Sequence, residues 1–131
     1  MNTDLKYVLV DDDEFNNVIC RMIIEDALGE ADITEFTEPE KALLFIRENT
    51  KSPTVLFLDI NMPVLTGWEF LEEYEKFGEE VKMHISIYIL SSSLDWRDKD
   101  KADANRYVNG FISKPLEPEM VVSIASGKFQ A

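Results

Sequence analysis

Short apolar runs, alternating with longer segments of helical period, constrain this chain more than any other feature. The first run, Tyr7-Val8-Leu9-Val10, stops at Asp11. Ala31 to Phe36 reads as a second strand. Thr54 to Leu58 is continuously apolar and stops at Asp59, the pattern of a strand buried on both faces. Ile85 to Leu90 stops at Ser91, and Phe111 to Ser113 stops at Lys114-Pro115. Between these runs Phe15, Val18, Ile19, Met22 and Ile23 recur at helical spacing, which predicts a helix anchored by that stripe and closed by Gly29. Thr37 and Glu40 have the spacing of a capping box, with Pro39 in the first turn and Ala42, Leu43 and Ile46 as the stripe. Three further helices are predicted over Gly67–Phe77, Asp95–Val108 and Leu116–Ser126. The first carries Phe70, Leu71, Tyr74 and Phe77 on one face, and the last turns Met120, Val121, Ile124 and Ala125 inward. The middle one is polar: before Tyr107 its apolar content is Trp96 and two alanines.

Alternation of this kind implies an α/β fold, a parallel sheet with helices on both faces. A chain of 131 residues fits one such domain, here residues 1–131 with a core over about 5–126. In open sheets of this class, function lies at the carboxyl ends of the strands. Those ends carry Asp11-Asp12-Asp13, Asp59, Ser91 and Lys114. The formal net charge of −13 opposes nucleic acid or an anionic membrane as a partner, yet suits a divalent cation if carboxylates converge. No apolar run is long enough to span a bilayer. The opening MNTDLKYVLVDDD lacks the charged-then-apolar order of a signal peptide. The single cysteine, Cys20, cannot form an internal disulfide, and a cytoplasmic location is expected.

The four strand ends make a coherent phosphoryl-acceptor site. Three carboxylates brought together repel and raise one another's pKa unless a cation intervenes. Mg²⁺ suits them, because it prefers hard oxygen ligands. A carboxylate can attack phosphorus and form an acyl phosphate. A lysine supplies a compact cation, and a serine hydroxyl a hydrogen bond, to the phosphoryl oxygens.

Val10-Asp11-Asp12-Asp13-Glu14, Leu58-Asp59-Ile60-Asn61-Met62-Pro63, Gly67, Ser91-Ser92-Ser93 and Lys114-Pro115 resemble, in order and spacing, the response-regulator receiver domain of two-component signalling. The resemblance implies the doubly wound, five-stranded, flavodoxin-like and CheY-like (βα)5 fold. It also implies roles. Asp59 is the phospho-acceptor. Asp12, Asp11, Asp59 and the backbone carbonyl of Asn61 hold Mg²⁺. Ser91 follows the phosphoryl group, Lys114 pairs with it, and Phe111 is the aromatic whose rotamer reports activation. Pro115 shapes the turn, often as a cis peptide. The implied donor is a sensor histidine kinase or histidine phosphotransfer protein, and output goes to an unknown downstream protein. Phosphorylation and dephosphorylation are the domain's own activities, without its being a turnover enzyme. The chain departs from the family in having Arg106-Tyr107-Val108-Asn109-Gly110 where a small Gly-Ala segment is usual, and Ser rather than Thr at position 91.

Bland readings stand beside these. Asp13 reads as a helix cap, Ser92 as a turn residue, and Ser93 and Asn61 as flanking positions able to influence hydrolysis. His84 reads as a surface residue, Cys20 as helix packing, and Met62 and Trp68 as local packing. A haloacid-dehalogenase-like phosphatase would also use a strand-end Asp, Mg²⁺ and Lys, but needs an acid where Asn61 stands. A degenerate receiver acting as a constitutive binding module is disfavoured by the full set of acceptor residues.

Overall fold

The computed structural model describes residues 5–49, 51–92 and 95–127. Five strands, β1 (Lys6–Val10), β2 (Asp32–Phe36), β3 (Thr54–Asp59), β4 (Ile85–Ser91) and β5 (Val108–Ser113), form one parallel sheet in the order β2-β1-β3-β4-β5. Six helices accompany them: α1 (Glu14–Leu28), α2 (Pro39–Asn49), α3 (Gly67–Glu75), α4 (Glu79–Lys82), α5 (Trp96–Ala104) and α6 (Pro118–Ala125).

The strand period of two splits the core in half. Tyr7, Leu9, Val55, Phe57, Tyr88 and Leu90 point to the face covered by α1 and α6. Val8, Val10, Leu56, Leu58, Ile87 and Ile89 point to the face covered by α2, α3, α4 and α5. All six residues of β3 are buried, as its unbroken apolar run requires. This central strand therefore carries Asp59 to the middle of the sheet's carboxyl edge, between the ends of β1 and β4.

Several elements differ from the sequence expectation. The stripe Phe15, Val18, Ile19 and Met22 faces out: these residues are 72%, 42%, 37% and 61% exposed. The sheet instead receives Asn17, Cys20 and Ile24, with Ile23, Ala27 and Leu28 beside them. The capping box expected at Thr37 is absent, because α2 starts at Pro39 and Ala42 N–H bonds to Glu38 O at 3.2 Å. A complete capping box is found instead at Thr66 and Glu69, opening α3. Helix α3 stops at Glu75, and the four-residue α4 before β4 was not expected. Helix α5 ends at Ala104 rather than Val108, and β5 starts three residues earlier than its apolar run. Asn109 explains the latter: its Oδ1 accepts the Ile87 N–H at 3.0 Å, where the β4–β5 register shifts. Asn109 and Gly110 thus belong to a bulged strand. His84 is half-buried rather than exposed, with its backbone tied to Thr54 and Val81.

Candidate functional site

The β1–α1 turn is built from its own acids. Asp13 caps α1 by accepting the Phe15 N–H at 2.9 Å, which fits the cap reading. Asp11 is 5% exposed and accepts the Asp13 N–H on Oδ1 at 2.9 Å. Its other oxygen takes the Lys114 ammonium at 2.8 Å. Asp12 is exposed. Asp59 is 6% exposed; its Oδ1 accepts the Asn61 N–H at 3.3 Å and lies 3.7 Å from Lys114 Nζ. The Asn61 side chain is exposed.

Lys114 reaches this point because β5 ends beside β4: its N–H bonds to Ser91 O at 2.8 Å, and a cis peptide joins it to Pro115. Ser91 is fully buried, one position beyond the residue that pairs with Asp59 across β3 and β4. Gly67 closes the floor. Its N–H bonds to Ile60 O at 3.2 Å, and a Cβ there would stand 2.7 Å from Ile60 Cα and 3.0 Å from Asp59 O. Only glycine lets α3 start this close to the end of β3. Phe111 is half-buried and packs on the α2–α5 side. Ser92 is exposed, and Ser93 lies outside the described residues.

The electrostatics are unbalanced. Asp11, Asp12 and Asp59 each offer a carboxylate oxygen, all within 4.8 Å of one another. Three carboxylates against one ammonium leave a formal charge of −2. Burial above all, then the charge of Asp11, pushes the Asp59 carboxyl above its ordinary range, although Lys114 and the Asn61 N–H pull it down. Lys114 shows the converse. Burial is the largest single influence and lowers its pKa, but the hydrogen bond to Asp11 and the charges of Asp59 and Asp11 together raise it. An ammonium that stays charged therefore leaves the acids under-neutralised. The shortfall matches one divalent cation with hard-oxygen preference, so the residues present fit Mg²⁺.

Asn17 was missed by the sequence reading. It is 2% exposed, and its Nδ2 donates to Asp11 O at 3.1 Å and Phe36 O at 3.0 Å. The available signal was its place with Cys20 and Ile24 on one helical stripe, the pattern that the outward stripe obscured. The departure at Arg106–Gly110 also has a structural answer. Tyr107 packs edge-on against Tyr74, with Lys82 and Arg106 over its ring at 4.7 and 4.8 Å. This aromatic–cation cluster fills the end of the α5–β5 connection.

Comparison with known proteins agrees with the geometry. Residues 8–126 match the family model described as the response regulator receiver domain. The chain is 29% identical over 119 residues to the chemotaxis protein CheY of Halobacterium salinarum, covering 91% of this chain and 92% of that one. It superposes with a TM-score of 0.87 on a two component response regulator from Cytophaga hutchinsonii, at 28% identity over 97% of this chain and 98% of that one. A response regulator receiver protein from Dyadobacter fermentans gives the same TM-score at 25% identity, covering 97% and 99%. An acidic strand-end cluster on a five-stranded doubly wound sheet, matched by the family model over nearly its whole length, makes this chain a member of the response-regulator receiver family, with the CheY-like fold.

Proposed function

We propose that this receiver domain is a phospho-accepting signalling module in which Asp59 is the acceptor, Mg²⁺ assists, and the donor is the phosphohistidine of a sensor histidine kinase or a histidine phosphotransfer protein. The observation that carries this reading is the convergence of Asp11, Asp12 and Asp59, with Lys114 3.7 Å from the acceptor oxygen. Asp59 attacks phosphorus: an O–P bond forms as the P–N bond to the donor breaks. Bound Mg²⁺ would be held by Asp12, Asp11, Asp59 and the Asn61 carbonyl, and would neutralise charge on the phosphoryl oxygens. Lys114, which pairs with Asp11 at 2.8 Å and lies 3.7 Å from Asp59, supplies the second cation. Ser91 contributes its hydroxyl to a phosphoryl oxygen, and Phe111 turns inward as Ser91 moves.

The domain acts in the cytoplasm as a single unit over residues 1–131. It is not a turnover enzyme, and its output passes to a downstream protein. No helix among the described residues is long and apolar enough to cross a membrane. The exposed stripe Phe15–Met22 begins three residues after Asp12, so a donor protein seated on α1 would hold its phosphohistidine beside the acids. A phosphatase reading lacks support, because Asn61 stands where the acid it needs would be.

Intact mass after incubation with acetyl phosphate tests the acceptor. Wild type should gain one phosphoryl group with Mg²⁺ and none with EDTA, and Asp59→Asn should gain none. A stoichiometric, base-labile phosphate on Asp59→Asn would overturn the assignment.

A further inference from the structure

Asn17 is a polar residue on the inward stripe of α1, where burial of an amide is costly unless its N–H groups find acceptors. Here Nδ2 is given two backbone carbonyls, those of Asp11 and Phe36. The Phe36 carbonyl also accepts the Asp11 N–H at 3.1 Å. Both polar groups of the Asp11 backbone are therefore fixed, the N–H by the end of β2 and the C=O by Asn17. That C=O lies in the planar peptide unit leading to Asp12. Holding the plane's tilt restricts where the Asp12 side chain can point.

Asp12 depends on this more than its neighbour does. The Asp11 carboxylate is located by Lys114 and by the Asp13 N–H. The Asp12 carboxylate is exposed and accepts no hydrogen bond among the described residues, so its backbone alone aims it. Yet one of its oxygens comes within 4.8 Å of those of Asp11 and Asp59.

We propose that Asn17 is the positioning residue of the cation site: by fixing the Asp11–Asp12 peptide it keeps the Asp12 carboxylate converged on Asp11 and Asp59. This rests on the reading of the three acids as the Mg²⁺ site. A role in helix packing alone would lower stability and leave cation affinity unchanged, so the two roles separate cleanly.

The test uses the full chain, freed of metal with EDTA and dialysed, with calorimetric titration of MgCl₂ alone and thermal melts in EDTA. Asn17→Ala should weaken Mg²⁺ binding about tenfold or more, the range seen when a residue supporting a metal ligand is lost. Asn17→Ser, which keeps one donor and guards against loss of folding in the alanine variant, should fall between. In an Asp12→Ala background, Asn17→Ala should add less than about twofold, because the group it aims has gone. Folded Asn17→Ala or Asn17→Ser with wild-type affinity would overturn the proposal. So would an undiminished further loss in the Asp12→Ala background. Saturable Mg²⁺ binding by wild type, with those outcomes, would sink this proposal alone; absence of binding by wild type would sink the cation site with it.

Discussion

Helices α1 and α5 both leave the acidic end of the sheet, and they are anchored in opposite ways. Helix α1 has fifteen residues, buried Cys20 and Ile24, and the double hydrogen bond of Asn17. Helix α5 has nine residues and buries only Ala102. Full burial of one large aliphatic side chain stabilises by about 1.5–3 kcal/mol, which α5 forgoes. Polar contacts hold it instead. Trp68 Nε1 donates to Asp98 Oδ1 at 3.3 Å, and Lys101 Nζ lies 5.6 Å from the Trp68 ring centre. Each such contact contributes about 1 kcal/mol or less. Trp68 follows Gly67, whose N–H bonds to Ile60 O, one residue past Asp59. On the proposed function, the difference would give each helix a part: α1 the fixed side that receives a donor, and α5 the weakly held side that responds.

The comparison breaks most visibly at Lys114. Lys114→Ala keeps Asp59 and the other acids, so acetyl phosphate should still modify it. Its ammonium no longer links the acceptor to the β5 end, so the change in α5 amide exchange on adding beryllofluoride should vanish. A response as large as in wild type would remove Lys114 from the coupling.

Next in size is the receiving face. Phe15→Ala with Met22→Ala should slow transfer from a phosphorylated histidine donor by about tenfold or more, as loss of exposed apolar anchors does. Modification by acetyl phosphate should be unaffected, since that small donor needs no docking face. Equal slowing with both donors would place the defect in the site instead.

Trp68→Leu sharpens the other half. It removes the hydrogen bond and the cation–π contact, together worth about 1.4 kcal/mol, so amides of α5 should exchange about tenfold faster. Exchange in α1 should stay as it was. Unchanged exchange in α5 would mean that Trp68 is not what holds it.

The smallest effect is on stability. Because the folded state raises the Asp59 pKa, it binds more protons than the unfolded chain between the two values. Stability is thus lost as pH rises from the ordinary aspartate range through the raised value. Asp59→Asn removes the deficit, so in EDTA its Tm at neutral pH should exceed wild type by a few degrees. The gain should fade below the ordinary aspartate range. A lower Tm for Asp59→Asn at neutral pH would contradict the electrostatic account.

The sequence made the sheet and its edge legible because the buried strands β1, β3 and β4 leave apolar runs that end at Asp11, Asp59 and Ser91, with Lys114 closing the shorter run of β5. It was ambiguous where a helix carries two apolar stripes. In α1, Phe15-Val18-Ile19-Met22 and Cys20-Ile23-Ile24-Ala27 both repeat at helical spacing, and only the packing of α6 and the sheet selects the second. Asn17 stayed hidden for the same reason. The bulge at Asn109 and the short α4 were illegible because single side-chain hydrogen bonds and one-turn helices leave no periodicity. At the site itself, sequence order named the acids. Their approach within 4.8 Å and the hold of Lys114 on Asp11 came only with the fold.

Hydrogen-exchange mass spectrometry of wild type with Mg²⁺, with and without beryllofluoride as a stand-in for the phosphoryl group, bears most directly on the division between a fixed and a responding side. Without it, α5 should exchange fastest among the helices of eight residues or more. With it, the largest change in protection should fall on α5, while α1 from Asn17 to Leu28 stays as it was. A change concentrated in α1, with α5 unaffected, would contradict the account.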